Sequence, residues 1–183
     1  MKSVLLGYLC LFSLSVMAAP LTVSQVIDRL ALEEQKSLTS GRFVQQKYFK
    51  ILSKPFVSKG EFMLDGGSLQ WRTLKPVESL LEYKEGKLYQ TDSLGVRRES
   101  QISQQFSQVL HALLQGKFDQ LADSFTFSAT ELPHCVFLIP INAQIKLALQ
   151  SVKVCGQVRV EQIEIQDSQQ NTSKISLNYS LPN

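Results

Sequence analysis

Histidine is almost missing from this chain: His111 and His134 are the only two among 183 residues. With them go most of the familiar ways of building a general base or a zinc site. There is no HExxH, no cysteine set at metal-ligand spacing, no GxSxG turn and no phosphate-cradling glycine loop. His111 stands one place past the apolar pair Val109-Leu110, at the edge of a helical stripe, and His134 leads into Cys135. Asp119 and Asp123 are spaced i, i+4 near a helix end and read as solvated acids. No catalytic residue, metal or cofactor is expected, and weight moves from catalysis to binding. Charge of one sign is equally scarce. Nineteen basic residues face sixteen acidic ones, too even a balance for a nucleic-acid surface, which needs a basic stripe or patch.

Long apolar runs are lacking except at the start. Met1-Lys2 is followed by an apolar stretch over 4–16, then by Val16-Met17-Ala18-Ala19-Pro20. A basic start, a short apolar core and small residues at a cleavage point make a secretory signal, and the stretch is too short to span a bilayer, which takes about 20 apolar residues. Residues 1–18 are therefore read as a signal peptide cut near Ala18 or Ala19, and 19–183 as a single domain. Cys10 has no small residue just before it, so no lipid anchor is expected there. Removing Lys2 leaves 18 − 16 = +2 charges. The product is expected to be exported, not membrane-spanning, and monomeric.

Three cysteines become two once the signal is gone, Cys135 and Cys155. They are either a disulfide or two free thiols in a sheet. An oxidising compartment favours the disulfide. Folding the segments around 135–139 and 145–154 back on one another about 140–143 brings the two cysteines together.

The remaining signal is periodicity. Residues 21–38 read as an amphipathic helix with Thr22 or Ser24 as its cap, an apolar face of Val23, Val26, Ile27, Leu30 and Ala31, and Gly41 just past its end. Period-two strands follow at 43–49, 60–65, 69–74, 77–83 and 88–92, with Gly66-Gly67 and 84–87 as turns and Lys75-Pro76 as a stop. The stretch 103–121 breaks the meander with a second helix that carries Phe106, Val109, Leu110, Leu113 and Leu114 on one stripe; Gly116 ends or kinks it, and Phe118 to Leu121 continues as a turn or short further helix. Strands resume at 125–127, 135–139, 145–154, 158–165 and 175–181. The apolar parity changes between Val158/Val160 and Ile163/Ile165, which places a bulge near Glu161-Gln162. Helix, meander, helix, meander is best satisfied by one large antiparallel sheet that curls, with helices against one face.

The order Phe43-Val44-Gln45-Gln46, Gly60-Glu61-Phe62-Met63-Leu64, Leu69-Gln70-Trp71, Pro76-Val77-Glu78, Gly86-Lys87-Leu88-Tyr89 resembles the LolA-type periplasmic carriers of outer-membrane lipoproteins. The resemblance spans the mature chain and is carried by the order of the motifs. It implies an α+β, mainly β, fold: a single curled antiparallel sheet, an incomplete β-barrel, with helices across its open side. It also implies an apolar trough lined by Phe43, Phe62, Leu64, Leu69, Trp71 and Leu81, a lid helix bearing Phe106, Val109, Leu110 and Leu113, and a lipid or lipoprotein acyl chain as ligand. An inner-membrane exporter and an outer-membrane acceptor are the implied partners. The alternative is a periplasmic module that senses lipid or lipoprotein and acts through protein contacts. The chain departs from the pattern at one turn. Where the family has an Arg-Pro pair whose arginine helps to hold the lid closed, this sequence has Asp65-Gly66-Gly67-Ser68, leaving Arg72, Arg97 and Arg98 as candidate substitutes.

Overall fold

A computed structural model describes residues 19–33, 38–99 and 104–180, apart from the side chains of 104–106. The predicted signal segment with Cys10, and the side chain of Phe106, lie outside the described residues. Helix α1 (Val23–Leu30) opens the fold and is started by a capping box: the Gln25 N–H donates to the Thr22 hydroxyl, and the Thr22 N–H to the Gln25 side chain. Val26 and Leu30 are buried; Ile27, expected on the same face, is exposed.

The helix stops sooner than its periodicity suggests. Ala31 takes a left-handed conformation and caps it, and strand β1 (Leu38–Tyr48) has begun well before Gly41. Gly41 is thus a strand residue and not a helix cap, and the reason is close approach. It pairs with Phe62 on β2 (Phe56–Asp65), while Phe43 pairs with Gly60. A Cβ on Gly41 would meet the Asn178 carbonyl and come within 2.8 Å of the Phe62 ring. One on Gly60 would meet the Arg72 carbonyl and lie 2.7 Å from the Phe43 ring. Each phenylalanine fills the space opened by the glycine opposite, the cross-strand rescue that holds a sharply curved sheet in register.

The meander continues through β3 (Ser68–Lys75), β4 (Ser79–Lys84), β5 (Lys87–Thr91) and β6 (Arg97–Glu99), the last unforeseen in the sequence pattern. Helix α2 (Gln104–Leu114) and a short 3-10 turn (Phe118–Leu121) follow, then β7 (Phe125–Ala129) and β8 (Cys135–Pro140). Between β8 and β9 (Leu149–Gln157) lies a single helical turn, α3 (Ala143–Lys146). The predicted strand therefore starts at Leu149 and not at 145. Asn142 explains the difference, since its side chain accepts the Gln144 and Ile145 N–H groups and starts a helix there. β10 (Arg159–Asp167) and β11 (Thr172–Tyr179) complete the chain, and the register between β9 and β10 slips between Val160 and Gln162 where a bulge was expected.

All eleven strands form one antiparallel sheet in the order β6-β5-β4-β3-β2-β1-β11-β10-β9-β8-β7. Its edges, β6 and β7, are not paired with each other among the described residues, so the barrel is incomplete. The core lies on the concave face and includes Phe43, Phe62, Leu64, Leu69 and Trp71 from one meander and Val136, Leu138, Val152, Val154, Ile163 and Ile175 from the other. Cys135 and Cys155 stand opposite one another on β8 and β9 and are joined by a disulfide, S–S 2.08 Å.

The reciprocal glycine packing makes a direct prediction. Gly60→Ala should cost about 1–3 kcal/mol, as overpacking does, and disturb the Trp71 fluorescence, because the Phe43 ring it displaces stacks on Trp71 at 3.8 Å. Gly67→Ala, with open space around it, serves as the control, expected within about 0.5 kcal/mol of wild type in urea unfolding.

Candidate functional site

The site follows from the strand order. The chain leaves the sheet at the β6 edge and re-enters at the β7 edge, so the connecting segment must cross the open side. α2 is that crossing, and it touches β4 and β5 on one flank and β10 on the other. Val109, Leu110, Ala112, Leu113 and Leu114 are buried beneath it.

α2 does not fill the space it covers. On the β9–β10–β11 side a cavity of about 280 Å³ is lined by Val109, Leu110 and Leu113 from above and by Leu149, Val152, Ile163 and Ile165 below; Gln45, Lys47, Asp167, Asn171 and Ser173 make up its polar part. On the β3–β4–β5 side a second cavity of about 230 Å³ is lined by Leu69, Trp71, Leu81, Leu88, Ser107 and Ile175, among others. Leu110 and Gln45 line both. The two cavities therefore adjoin at Leu110 of the helix and Gln45 of the sheet.

The six residues expected to line a trough divide between two settings. Leu69, Trp71 and Leu81 border the smaller cavity. Phe43, Phe62 and Leu64 lie in packed core, where Trp71 stacks on both Phe43 and Phe62 and Tyr179 meets Phe62 edge-on at 5.3 Å. Among the helix residues, Val109, Leu110 and Leu113 border the larger cavity. Sequence reasoning missed the β9–β10 wall of that cavity, Val152, Ile163 and Ile165. They fall in strands that were read from the apolar pattern, but only the sheet order places them opposite α2.

The seat of α2 is oddly polar. Gln115 donates its side-chain N–H to the Gly66 carbonyl in the β2–β3 turn. His111 is buried against Tyr83, ring centroids 5.2 Å apart. Yet His111 Nε2 and Gln115 Oε1 are buried with no hydrogen-bond partner in the protein, and an unmet polar atom of this kind costs about 1–3 kcal/mol. The three arginines considered as substitutes to steady the helix lie on β3 and β6. Arg72 is exposed on β3. Arg97 binds Glu82 at 3.1 Å and lies over Tyr89, and Arg98 faces Asp92 at 4.0 Å.

α1 is anchored quite differently. The Arg29 guanidinium donates to the carbonyls of Cys135 (2.7 Å), Thr130 (2.5 Å) and Leu132 (3.0 Å), tying the helix to the β7–β8 turn beside the disulfide. His134 completes that contact, with its Nδ1 3.1 Å from the Arg29 carbonyl. Its role is structural. Asp119 and Asp123 are both exposed, and no group of metal-binding side chains occurs among the described residues.

At the mouth of the larger cavity, burial pushes the Asp167 carboxyl up, but hydrogen bonds from Asn171 and Gln169 and the Lys47 charge outweigh it and hold it below the usual range. The Tyr179 phenol, buried and bonded to the Val160 carbonyl at 2.8 Å, is held protonated far above its ordinary range.

No protein-family model matches the sequence, and no curated protein does. Among solved structures, the chain superposes on a LolA superfamily protein from Nitrosomonas europaea with a TM-score of 0.51, at 9% identity, over 89% of this chain and 94% of that one. The fold is LolA-like. A second similar structure, a DUF1329 family protein from Desulfovibrio piger, reaches a TM-score of 0.45 at 7% identity over 85% and 88% of the two chains, too distant to inform the site. No helix among the described residues of this LolA-like chain is long and apolar enough to cross a membrane.

His111 makes the seat of α2 sensitive to acid. Burial, then the nearby Lys117 charge, lower its pKa from the ordinary 6.5. The unfolded chain therefore takes up this proton first as pH falls. The contribution is fully present above about 6.5 and is lost as pH drops from there toward the folded-state value. Urea unfolding between about pH 7 and pH 5.5 should show a steeper loss for wild type than for His111→Leu; equal slopes would assign the loss to other groups.

Proposed function

We propose that the protein is a periplasmic carrier that holds the acyl chain of a lipid or lipoprotein between the sheet and α2 and moves it between the inner and outer membranes. The observation that carries this reading is the position of Leu110, which with Gln45 lines both of two cavities beneath α2. Displacing α2 merges them into a single trough whose combined size falls in the range of about 300–1,000 Å³ typical of small-molecule sites.

The energetics favour exchange over permanent capture. Lifting Val109, Leu110, Leu113 and Leu114 off the sheet forfeits about 1.5–3 kcal/mol for each large apolar side chain, on the order of 10 kcal/mol together. An acyl chain burying about a dozen methylenes returns about 0.8 kcal/mol for each, again on the order of 10 kcal/mol. Two similar quantities leave the balance to the polar contacts. Closure keeps the Gln115–Gly66 hydrogen bond, and opening relieves the unmet atoms of His111 and Gln115. A carrier needs such a balance, since its cargo must leave as well as enter.

Export agrees with the Cys135–Cys155 disulfide, a bond characteristic of oxidising compartments, and with the signal-like start of the chain. The LolA-like fold supports a role in binding rather than chemistry, and the sparse titratable groups near the cavities are accounted for by structural contacts. An exporter in the inner membrane and an acceptor in the outer membrane are the partners this reading requires.

Native mass spectrometry of protein purified without detergent should show a mass increment that extracts as lipid or acylated peptide. Leu110→Trp, which pushes into both cavities, should weaken binding of a fluorescent fatty acid at least about tenfold, the equivalent of two lost methylenes or more, with the circular dichroism spectrum unchanged. Gln115→Ala should speed ligand exchange about fivefold, the loss of a hydrogen bond worth about 1 kcal/mol. A ligand-free protein that takes up no acyl probe, or a Leu110→Trp variant that binds as wild type does, would sink the reading.

A further inference from the structure

Antiparallel pairing gathers one set of connections at one end of the sheet. These are the β1–β2 tip at 49–55, the β3–β4 turn at 76–78, the β5–β6 turn at 92–96, the β8–β9 connection at 141–148 and the β10–β11 turn at 168–171. The most exposed large apolar side chains fall there: Ile51 at 91%, Leu94 at 87% and Leu147 at 74%, followed by Phe56 and Val77. Burial of apolar surface shaped the rest of the molecule, so a rim that leaves these residues in solvent is out of keeping with it.

The β1–β2 tip extends past β3 on one flank. β1 and β2 pair up to Lys47 and Phe56, whereas β3 joins β2 only from Lys59 onward; on the other flank β11 accompanies β1 as far as Tyr48. The projecting stretch reads Lys47-Tyr48-Phe49-Lys50-Ile51-Leu52-Ser53-Lys54-Pro55-Phe56-Val57-Ser58-Lys59, four lysines and large apolar residues with no acid. It is braced and not loose. Lys50 N–H donates to the Asn171 side chain at 3.2 Å, its ammonium to Gln170 at 2.9 Å, and Phe49 packs edge-on against Phe56 at 5.7 Å. Acids elsewhere on the rim are partly engaged. Asp167 binds Asn171 and the Gln169 N–H, and Asp92 binds the N–H groups of Leu94 and Val96, while Glu78 and Asp123 are exposed.

We propose that this rim, led by the β1–β2 tip, docks on the surface of a bilayer carrying anionic headgroups. Ile51, Leu52 and Phe56 enter the interface, and Lys50, Lys54 and Lys59 meet the phosphates. Short apolar anchors combined with basic side chains are the chemistry that holds a protein reversibly on an anionic leaflet. The concave side of the tip continues into the carrier's larger cavity. Gln45 and Lys47 line that cavity and also the shallow depression formed with Phe49, Phe56 and Ser58. A docked tip thus offers an acyl chain an apolar path from the leaflet to the space beneath α2. The path rests on the carrier reading; docking itself does not.

The test is flotation of the protein with vesicles of phosphatidylethanolamine and phosphatidylglycerol, compared with vesicles of phosphatidylcholine alone. The protein should float with the anionic vesicles, lose most of that binding in about 1 M salt, where screening length falls to about 3 Å, and float poorly with phosphatidylcholine. Lys50→Gln and Lys54→Gln should each weaken binding about fivefold. Ile51→Asp combined with Phe56→Asp should abolish it, and Leu38→Asp, at the opposite end, should leave it unchanged. Uptake of a water-dispersed fluorescent fatty acid by the same variants reports the cavity independently, so docking and carriage can fail separately. Absence of flotation, or tip variants that float as wild type does, would overturn the proposal and leave a protein receptor as the occupant of the rim.

Discussion

Everything about this molecule's working face depends on where the sheet begins and ends. The two edges of the sheet, β6 and β7, are consecutive in the chain but lie at opposite ends of the strand order. A right-twisted sheet of eleven strands curls, so the connection between those edges runs over the hollow and not along the rim. A helical roof is therefore a consequence of connectivity before it is a matter of packing. What evolution had left to choose was how tightly the roof fits.

That choice is visible in the contrast between the two longer helices. α1 is fastened by a guanidinium that satisfies three carbonyls, beside a disulfide that joins neighbouring strands. Charge-assisted bonds of this kind are among the stronger contacts available to a protein. α2 has a good apolar underside, but its polar groups are half-satisfied, and it rests over two chambers that adjoin at one leucine. Half-satisfied polar networks weaken a seat that apolar packing alone would make permanent. The anchoring arginine here serves α1. The helix across the opening is tied instead through Gln115, to the backbone of the turn at Gly66.

Much of the fold was legible in the residues because alternation is a local signal. The bulge at β10 could be read from a switch in apolar parity, and the disulfide from two cysteines placed to face each other across a fold-back. Misreadings came where a residue had two possible jobs. Gly41 looks like a helix terminator and is a contact point for Phe62, while Ala31, with nothing in its chemistry to announce it, ends the helix. Ile145 extends an apolar strand pattern, yet Asn142 redirects it into a helical turn. β6 is three exposed residues with no alternation to read. The site was less legible than the fold, since its walls come from strands far apart in sequence. Phe43 and Val152 look alike as alternating apolar residues; only the stacking of Phe43 on Trp71 separates filled core from cavity wall.

The strand order also says something about how such a chain is completed. Apart from α2 and its flanks, nearly all pairing is between consecutive strands, so each meander closes by short-range contacts that form quickly. The exception is the seam where β1 meets β11, with Phe43 opposite Leu177 and Tyr48 opposite Thr172. Those partners are separated by most of the polypeptide, and nearly all the loop-closure entropy of the topology is concentrated in that one ladder. A nascent chain can build each meander in turn, but the two halves of the sheet are not joined until residues 172–179 arrive. The concave face and the space beneath α2 come into being last, at a single stitch.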